Sequence, residues 1–226
     1  MQTPRSLIWT GIDHFSTEFL TISHYDQRWR IEGRVITAFD DLPAFASYTL
    51  ICNDAWQTRH VSASCHANGS EHTTTIHRDD HGWTIDGAPQ PDLAGCNDID
   101  LELTPFTNSL PINRLNLAVG ASAQVDAAWL RFPGLTVEPL RQRYTRIAAN
   151  RYRYESGDSF ETLLDVDDDG IVLYYENGWE QPAFTPSPVI PSRDEESPRE
   201  APRPSAGPAS CVDSASPGDS SPARSE

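Results

Sequence analysis

Apolar and polar residues alternate with a period of two along the first 180 or so positions, and no long stretch shows helical periodicity. Trp29, Ile31, Gly33 and Val35 alternate with Arg30, Glu32 and Arg34, the mark of a strand with one buried face. The same pattern returns at residues 47–52, 56–61, 72–77, 98–103, 114–119, 127–132, 151–155, 160–166 and 171–175. Between these runs, Asn68-Gly69, Asp80-His81-Gly82, Asp86-Gly87, Asp169-Gly170 and Asn177-Gly178 supply residues that tolerate positive φ. Short strands joined by such turns predict an all-β domain, a strongly curled antiparallel sheet forming a barrel-like body or roll, and disfavour parallel βαβ units. One short helix is expected near residues 134–143.

The alternation stops near Trp179. From Pro182 to Glu226 the only aromatic residue is Phe184, and ten of the eighteen prolines fall in this stretch. Such a segment buries too little apolar surface to offset its chain entropy, so residues 182–226 are expected to be a disordered Pro- and Ser-rich tail. Residues 1–181 carry all six tryptophans and all seven tyrosines, which suits one sizeable core.

Charge narrows the function. The net charge is −16, and residues 1–181 hold 13 arginines against 26 carboxylates, so nucleic acid is not an expected partner. Arg141 to Arg153 is the one basic run, read as a solvated strand face. Every one of the 17 Lys-plus-Arg positions is arginine, which excludes a Walker A loop and a lysine Schiff base. The opening residues lack the apolar core of a secretory signal, and no run approaches a membrane span, so a cytoplasmic protein without an integral membrane segment is expected. Cys52, Cys65, Cys96 and Cys211 show no CxxC spacing and are read as free thiols.

The stretch from Gly95 to Leu115 is the richest in candidate chemistry. On a strand, Asp98, Asp100 and Glu102 share one face and Ile99, Leu101 and Leu103 the other. Carboxylates so arranged either face water or need a partner inward, and Arg114 is the nearest candidate. Thr104 to Pro111 mixes turn formers with Phe106 and Leu110, so it should pack back onto the domain; Asn108 suits a bond to its own backbone there. No Gly-x-Ser-x-Gly nucleophile elbow is present, and Cys96 reads as a small buried residue.

Taken together, Gly-Cys-x-Asp-x-Asp at 95–100, Thr-Pro-Phe-Thr-Asn-x-Leu-Pro-Ile at 104–112 and Arg114-Leu115 resemble the pattern of a bacterial family of glycolipid-binding proteins. Trp56 with Thr58-Arg59, Gln142 with Tyr144-Thr145, and Val166-Asp167 with Gly170-Ile171-Val172 extend the likeness over nearly all of residues 1–181. The resemblance implies a spiral β-roll that holds an amphipathic ligand, with no catalytic residues to carry over. Where this chain has Asn113 the pattern more often has an arginine, which leaves Arg114 as the one guanidinium of that turn.

Two other constellations were weighed. Asp165-Val166-Asp167-Asp168-Asp169-Gly170 with Glu176 fits the calcium-loop template, yet its flanks are rich in β-branched and aromatic residues, and an Asp-rich hairpin turn is expected. His60, His66, His72, His77 and His81 lack the spacing and helical setting of a zinc site. No metal and no cofactor is expected.

The leading expectation is therefore a binding protein for a glycolipid or other amphipathic small molecule, without catalysis. Its candidate ligand-binding residues are Trp56, Arg59, Asp98, Asp100, Asn108, Arg114 and Tyr144, with the pairs Trp56–Arg59 and Tyr144–Arg146 foremost. The alternative is an enzyme acting on a sugar or lipid head group through Asp98, Asp100, Glu102 and Arg114. A third reading is an interaction protein whose tail recruits a partner. A carrier calls for an apolar cavity with a polar mouth, an enzyme for carboxylates converging on a cleft, and an interaction protein for a filled core and an exposed apolar patch.

Overall fold

A computed structural model describes residues 4–182. The expected tail lies, from residue 183 onward, outside the described residues, as does Cys211. The alternating runs form a single sheet. Its first arm comprises β1 (Arg5–Gly11), β2 (Ser16–Tyr25), β3 (Arg28–Phe39), β4 (Leu42–Asn53), β5 (Thr58–Ala67), β6 (Ser70–Asp79), β7 (Gly82–Ile85) and β8 (Ala88–Pro89). The second arm comprises β9 (Asp98–Leu101), β10 (Ser122–Arg131), β11 (Thr136–Ala148), β12 (Arg151–Ser156), β13 (Phe160–Val166), β14 (Val172–Tyr175) and β15 (Trp179–Glu180). Spatial order runs β8 to β1, then β15 down to β9, so β1 and β15 meet mid-sheet and the edges are β8 and β9.

All strand pairs are antiparallel except β9 with β10, where Asp98–Leu101 run parallel to Ala127–Leu130. The turn residues behave as their chemistry requires: Asn68, Asp86 and Asn177 hold positive φ, as do Gly69, Gly82, Gly87 and Gly170. The basic run lies on β11 and β12, where Arg143 pairs with Glu155. Three free cysteines, Cys52, Cys65 and Cys96, are buried. No described helix is long and apolar enough to cross a membrane.

The curl is visible in what one short segment touches. Past β9 the chain makes a 3-10 turn at Phe106–Asn108 and a helix, α1 (Ser109–Leu115), and residues 103–112 are all buried. This plug meets strands from both arms. Tyr48 on β4 donates to Glu18 on β2 (2.6 Å) and sits 3.2 Å from the Thr104 hydroxyl. The N–H of Val172 on β14 donates to Ser109 Oγ, Tyr144 on β11 donates to Asn108 Oδ1, and Ile99 N–H reaches Thr58 Oγ1 on β5. Strands so distant in sheet order reach one plug only because the sheet wraps around it. Leu103, Phe106 and Leu110 join the main apolar core with Trp9, Leu20, Ile31 and Leu50. Ile112 joins a second cluster with Tyr144, Tyr152, Leu164 and Val172.

Four local expectations are overturned. Residues 114–119 are not a strand: Arg114 and Leu115 end α1, which stops where Asn116 turns left-handed (φ 41°) and donates to Ile112 O. A helix of seven residues is too short to display helical period, and its apolar residues contact walls on several sides. Residues 134–143 are not a helix; β11 begins at Thr136 and pairs with β10 from Arg131↔Thr136 to Ser122↔Thr145. Pro139 is tolerated because β12 pairs with β11 only from Gln142 onward. The acidic strand ends at Leu101 rather than Leu103, and the sheet is not wholly antiparallel.

Two outcomes follow from the Glu18–Tyr48 contact. A methyl group at Gly33 would overlap the Tyr48 ring and reach the Glu18 carboxyl, so Gly33→Ala is expected to lower stability by about 1–3 kcal/mol in chemical denaturation. Burial pushes Glu18 up to about 7 from 4.5, opposed by the nearby Thr104 hydroxyl and by the hydrogen bond that Tyr48 donates to it. The folded protein thus keeps a proton that the unfolded chain loses, and stability present below pH 4.5 is lost as pH rises to about 7. Glu18→Gln is expected to flatten this slope in denaturation midpoints measured across pH, leaving the smaller contribution of Asp100 between 3.8 and about 6.

Candidate functional site

The sequence-derived candidates do not gather into one pocket. Asp98 is 1% exposed and is gripped by Arg114 through two bonds, Nε to Oδ1 at 2.9 Å and Nη2 to Oδ2 at 2.6 Å. The partnership anticipated for Arg114 is present. Asp100 accepts from Thr107 Oγ1 (2.9 Å) and Gln142 Nε2 (2.6 Å). Burial pushes its carboxyl up to about 6, opposed by those two bonds. Glu102 turns outward to accept from Phe132 N–H (2.7 Å) and to face Arg131. The three carboxylates have three different sets of partners, and Asp100 and Glu102, but not Asp98, border one cavity of about 530 Å³.

Asn108 and Tyr144 belong to the plug's anchorage. Besides accepting from Tyr144 (2.8 Å), Asn108 donates through Nδ2 to Pro105 O (3.3 Å), and the Tyr144 hydroxyl lies 3.2 Å from Gln142 Oε1. Asp100 and Asn108 also border a cavity of about 530 Å³ whose wall includes Trp129, Tyr154, Phe160 and Tyr175. Arg146 does not pair with Tyr144; it bonds the carbonyls of Leu117 and Ala149 and lies over Tyr152, 5.6 Å from the ring centre.

Trp56 has a different setting. It stacks on Trp29, ring centres 4.3 Å apart and planes 20° from parallel, and His24 leans on Trp29 at 4.4 Å. The two indoles form one wall of a cavity of about 650 Å³. The lining also includes Arg5, Asn113, Arg146, Asn150, Tyr152 and Asp167. Arg5 pairs with Asp167 at 2.5 Å, and Asn113 Nδ2 donates to Ser109 O and Gly170 O. Asn113 thus ties the end of the plug to the β13–β14 turn.

The turn that presents Trp56 is built for it. Asn53 Oδ1 accepts the N–H groups of Ala55 and Gln57, its Nδ2 donates to Gln57 Oε1, and Trp56 N–H donates to Asn53 O. Trp56 itself sits at φ 60°, a left-handed conformation that is costly for a bulky residue. Trp29 was read as a buried strand position, and His24, Arg5, Asn113 and Tyr152 were missed as wall residues. Only their meeting across the curled sheet groups them, and no local spacing could reveal that. Arg59 lies outside this cavity, beside Arg78.

The calcium-loop letters are explained by a hairpin turn between β13 and β14. Asp165 pairs with Arg151 through two bonds of 2.5 and 2.7 Å, and Asp167 Oδ1 accepts the N–H groups of Asp169 and Ile171. Among the described residues no three or more His, Cys, Asp or Glu side chains gather as metal ligands. His60 and His77 face each other across β5 and β6 at 3.3 Å. On the outer face of β2–β4, Ile36 and Phe45 are exposed opposite each other, with Phe19 on the neighbouring rung.

Breaking the Asp98–Arg114 pair from the acidic side is expected to cost about 3–5 kcal/mol, because Asp98→Ala strands a partly buried guanidinium. Urea denaturation of Asp98→Ala against the wild type measures it, and a loss under 1 kcal/mol would show the pair to be dispensable.

A family model described as "Putative glycolipid-binding" matches residues 6–181. Among solved structures, the chain is similar to a DUF1089 family protein from Pseudomonas aeruginosa, with 31% sequence identity and a TM-score of 0.62, over 70% of this chain and 88% of that one. No curated protein matches the chain. Cavity, plug and sheet all lie within the matched residues, and the chain belongs to that glycolipid-binding family.

Proposed function

We propose that residues 1–181 form a binding unit for the polar head of a glycolipid or similar amphipathic molecule, and that the unit binds without catalysing a reaction. The observation that supports this reading is the stacked Trp29–Trp56 pair in the lining of a cavity of about 650 Å³ that also carries Arg5, Asn113, Arg146, Asn150 and Asp167. Flat aromatic faces bind the apolar side of a sugar ring, while guanidinium, amide and carboxylate groups nearby take its hydroxyls. A side chain kept in a strained backbone conformation, as Trp56 is, is what a site maintained for function is expected to contain.

The recognised part of the ligand is the head and not the acyl chain. The plug and two apolar clusters fill much of the roll's interior, and the cavity bordered by both tryptophans carries the polar groups that suit a head group. Buried free thiols at Cys52, Cys65 and Cys96 suit the reducing cytoplasm as the place of action.

Lipid extraction from the protein purified from its own host, followed by mass spectrometry, tests the reading directly. Recovery of a stoichiometric glycolipid that competes with quenching of tryptophan fluorescence is the expected result. Trp56→Gly relieves the left-handed strain while deleting the indole, so it is expected to lower ligand affinity at least about tenfold with a smaller stability loss than Trp29→Ala. Unchanged lipid retention in Trp56→Gly would refute the assignment of this cavity.

A further inference from the structure

Away from the tryptophan cavity, the end of the β5–β6 hairpin holds an unusual charge arrangement. β4 and β5 pair Ile51 with His60 and Cys52 with Thr58, which leaves Arg59 as an extra residue at an irregularity of the ladder. Arg78 lies next to His77, the cross-strand partner of His60. Both guanidinium side chains line one small cavity of about 280 Å³, backed by Trp83 and Cys96. Both arginines are half-buried, and neither has an ion-pair partner among the described residues, unlike Arg114, Arg141, Arg143, Arg151 and Arg153. Arg59 reaches only Gln57 Oε1 at 3.4 Å. Arg78 reaches Asn97 Oδ1 at 3.4 Å and sits 5.6 Å from the centre of the Trp83 ring.

Arg114 adds a third positive charge to this neighbourhood. Burial, then Arg59 and Arg114, push Arg78 below the ordinary arginine range, and Asp98 opposes them. Asp98, however, is held by both bonds from Arg114. Asp79 and Asp80 stand at the cavity wall, where the Asp79 carboxylate accepts His81 N–H and fixes the β6–β7 turn. Two half-buried like charges without a counter-ion are unfavourable in a medium of reduced dielectric. They persist in a domain that is otherwise acidic enough to repel anions.

We propose that Arg59 and Arg78 form an anion site that takes a phosphate group, either free or on a lipid head group. Two guanidinium forks present several donors to the oxygens of one phosphate, and Trp83 holds one of them in place. A volume of about 280 Å³ admits a phosphate and its first substituent. The site shares no wall residue with the tryptophan cavity, so it stands or falls independently of the head-group reading.

Inorganic phosphate titrated into the full-length protein at low salt, read by calorimetry and by tryptophan fluorescence, is the test. Arg59→Gln and Arg78→Gln are each expected to weaken phosphate about tenfold or more, and the double variant to abolish binding. Arg78→Lys, which keeps the charge and loses the fork, should fall between, and Arg141→Gln, on an exposed pair with Asp126, should bind as wild type. Circular dichroism checks folding, and each single variant serves if the other fails to fold. Co-sedimentation with phosphatidylcholine vesicles containing phosphatidic acid, lost in the double variant, assigns the phosphate to a lipid head group. Phosphate binding without vesicle binding assigns it to a soluble phosphate. Wild-type affinity in both arginine variants, or no binding of phosphate or phosphatidic acid by the wild type, overturns the proposal.

Discussion

A sheet of fifteen strands that curls on itself encloses more space than its own inward side chains fill, and the segment from Asp98 to Leu115 supplies what is missing. Burying a non-repetitive segment brings its backbone and its polar side chains out of water. Each then needs a partner, and the walls provide most of them: Thr58 for Ile99, Gln142 for Asp100, Tyr144 for Asn108, and Val172 for Ser109, while Thr107 within the segment also donates to Asp100. The Asp98–Arg114 pair closes the segment on itself, joining its first residue to the last turn of α1. The plug thus adds a surface shared by strands of both arms to the contact they already make where β1 pairs with β15.

The same reasoning applies to a buried carboxyl whose second oxygen is left without a hydrogen-bond partner. Glu18 Oε2 is buried and unbonded, while Oε1 accepts from Tyr48. A charged carboxylate there would be costly, and the protonated form is the one that the buried site favours near neutral pH. Asp98 in an equally buried place meets a guanidinium instead. Two acids of equal burial therefore differ in what they meet: a tyrosine hydroxyl for Glu18 and a guanidinium for Asp98.

Strands, turns and the buried character of residues 104–111 were legible because they rest on local signals: alternation, positive-φ residues, and apolar anchors within a turn-rich stretch. Arg114 as the partner of the acidic strand was legible because the residues nearby offered few cations. What escaped was long-range. Asp98, Asp100, Asn108 and Tyr144 are polar residues in an unusual motif, and such a motif suits both ligand contacts and a hydrogen-bonded plug, which local sequence does not distinguish. The parallel β9–β10 pair and the shortness of α1 follow from how the plug enters the roll, which no periodicity within the segment encodes.

The tryptophan cavity and the arginine pocket sit on the two sides of one turn, residues 53–59, and its construction bears on both. Asn53 fixes the turn through three bonds, Trp56 occupies its left-handed position, and Gln57 touches both Asn53 and Arg59. A turn needed only to join two strands is most cheaply made with glycine or asparagine at the left-handed position. Placing the largest side chain there instead, and then inserting an extra arginine at the start of the next strand, incurs strain and unpaired charge within a few residues of each other. The indole packs on Trp29 where the core borders a cavity, and the guanidinium shares its pocket with another arginine. A recognition element explains both, with an aromatic face on one side of the turn and positive charge on the other.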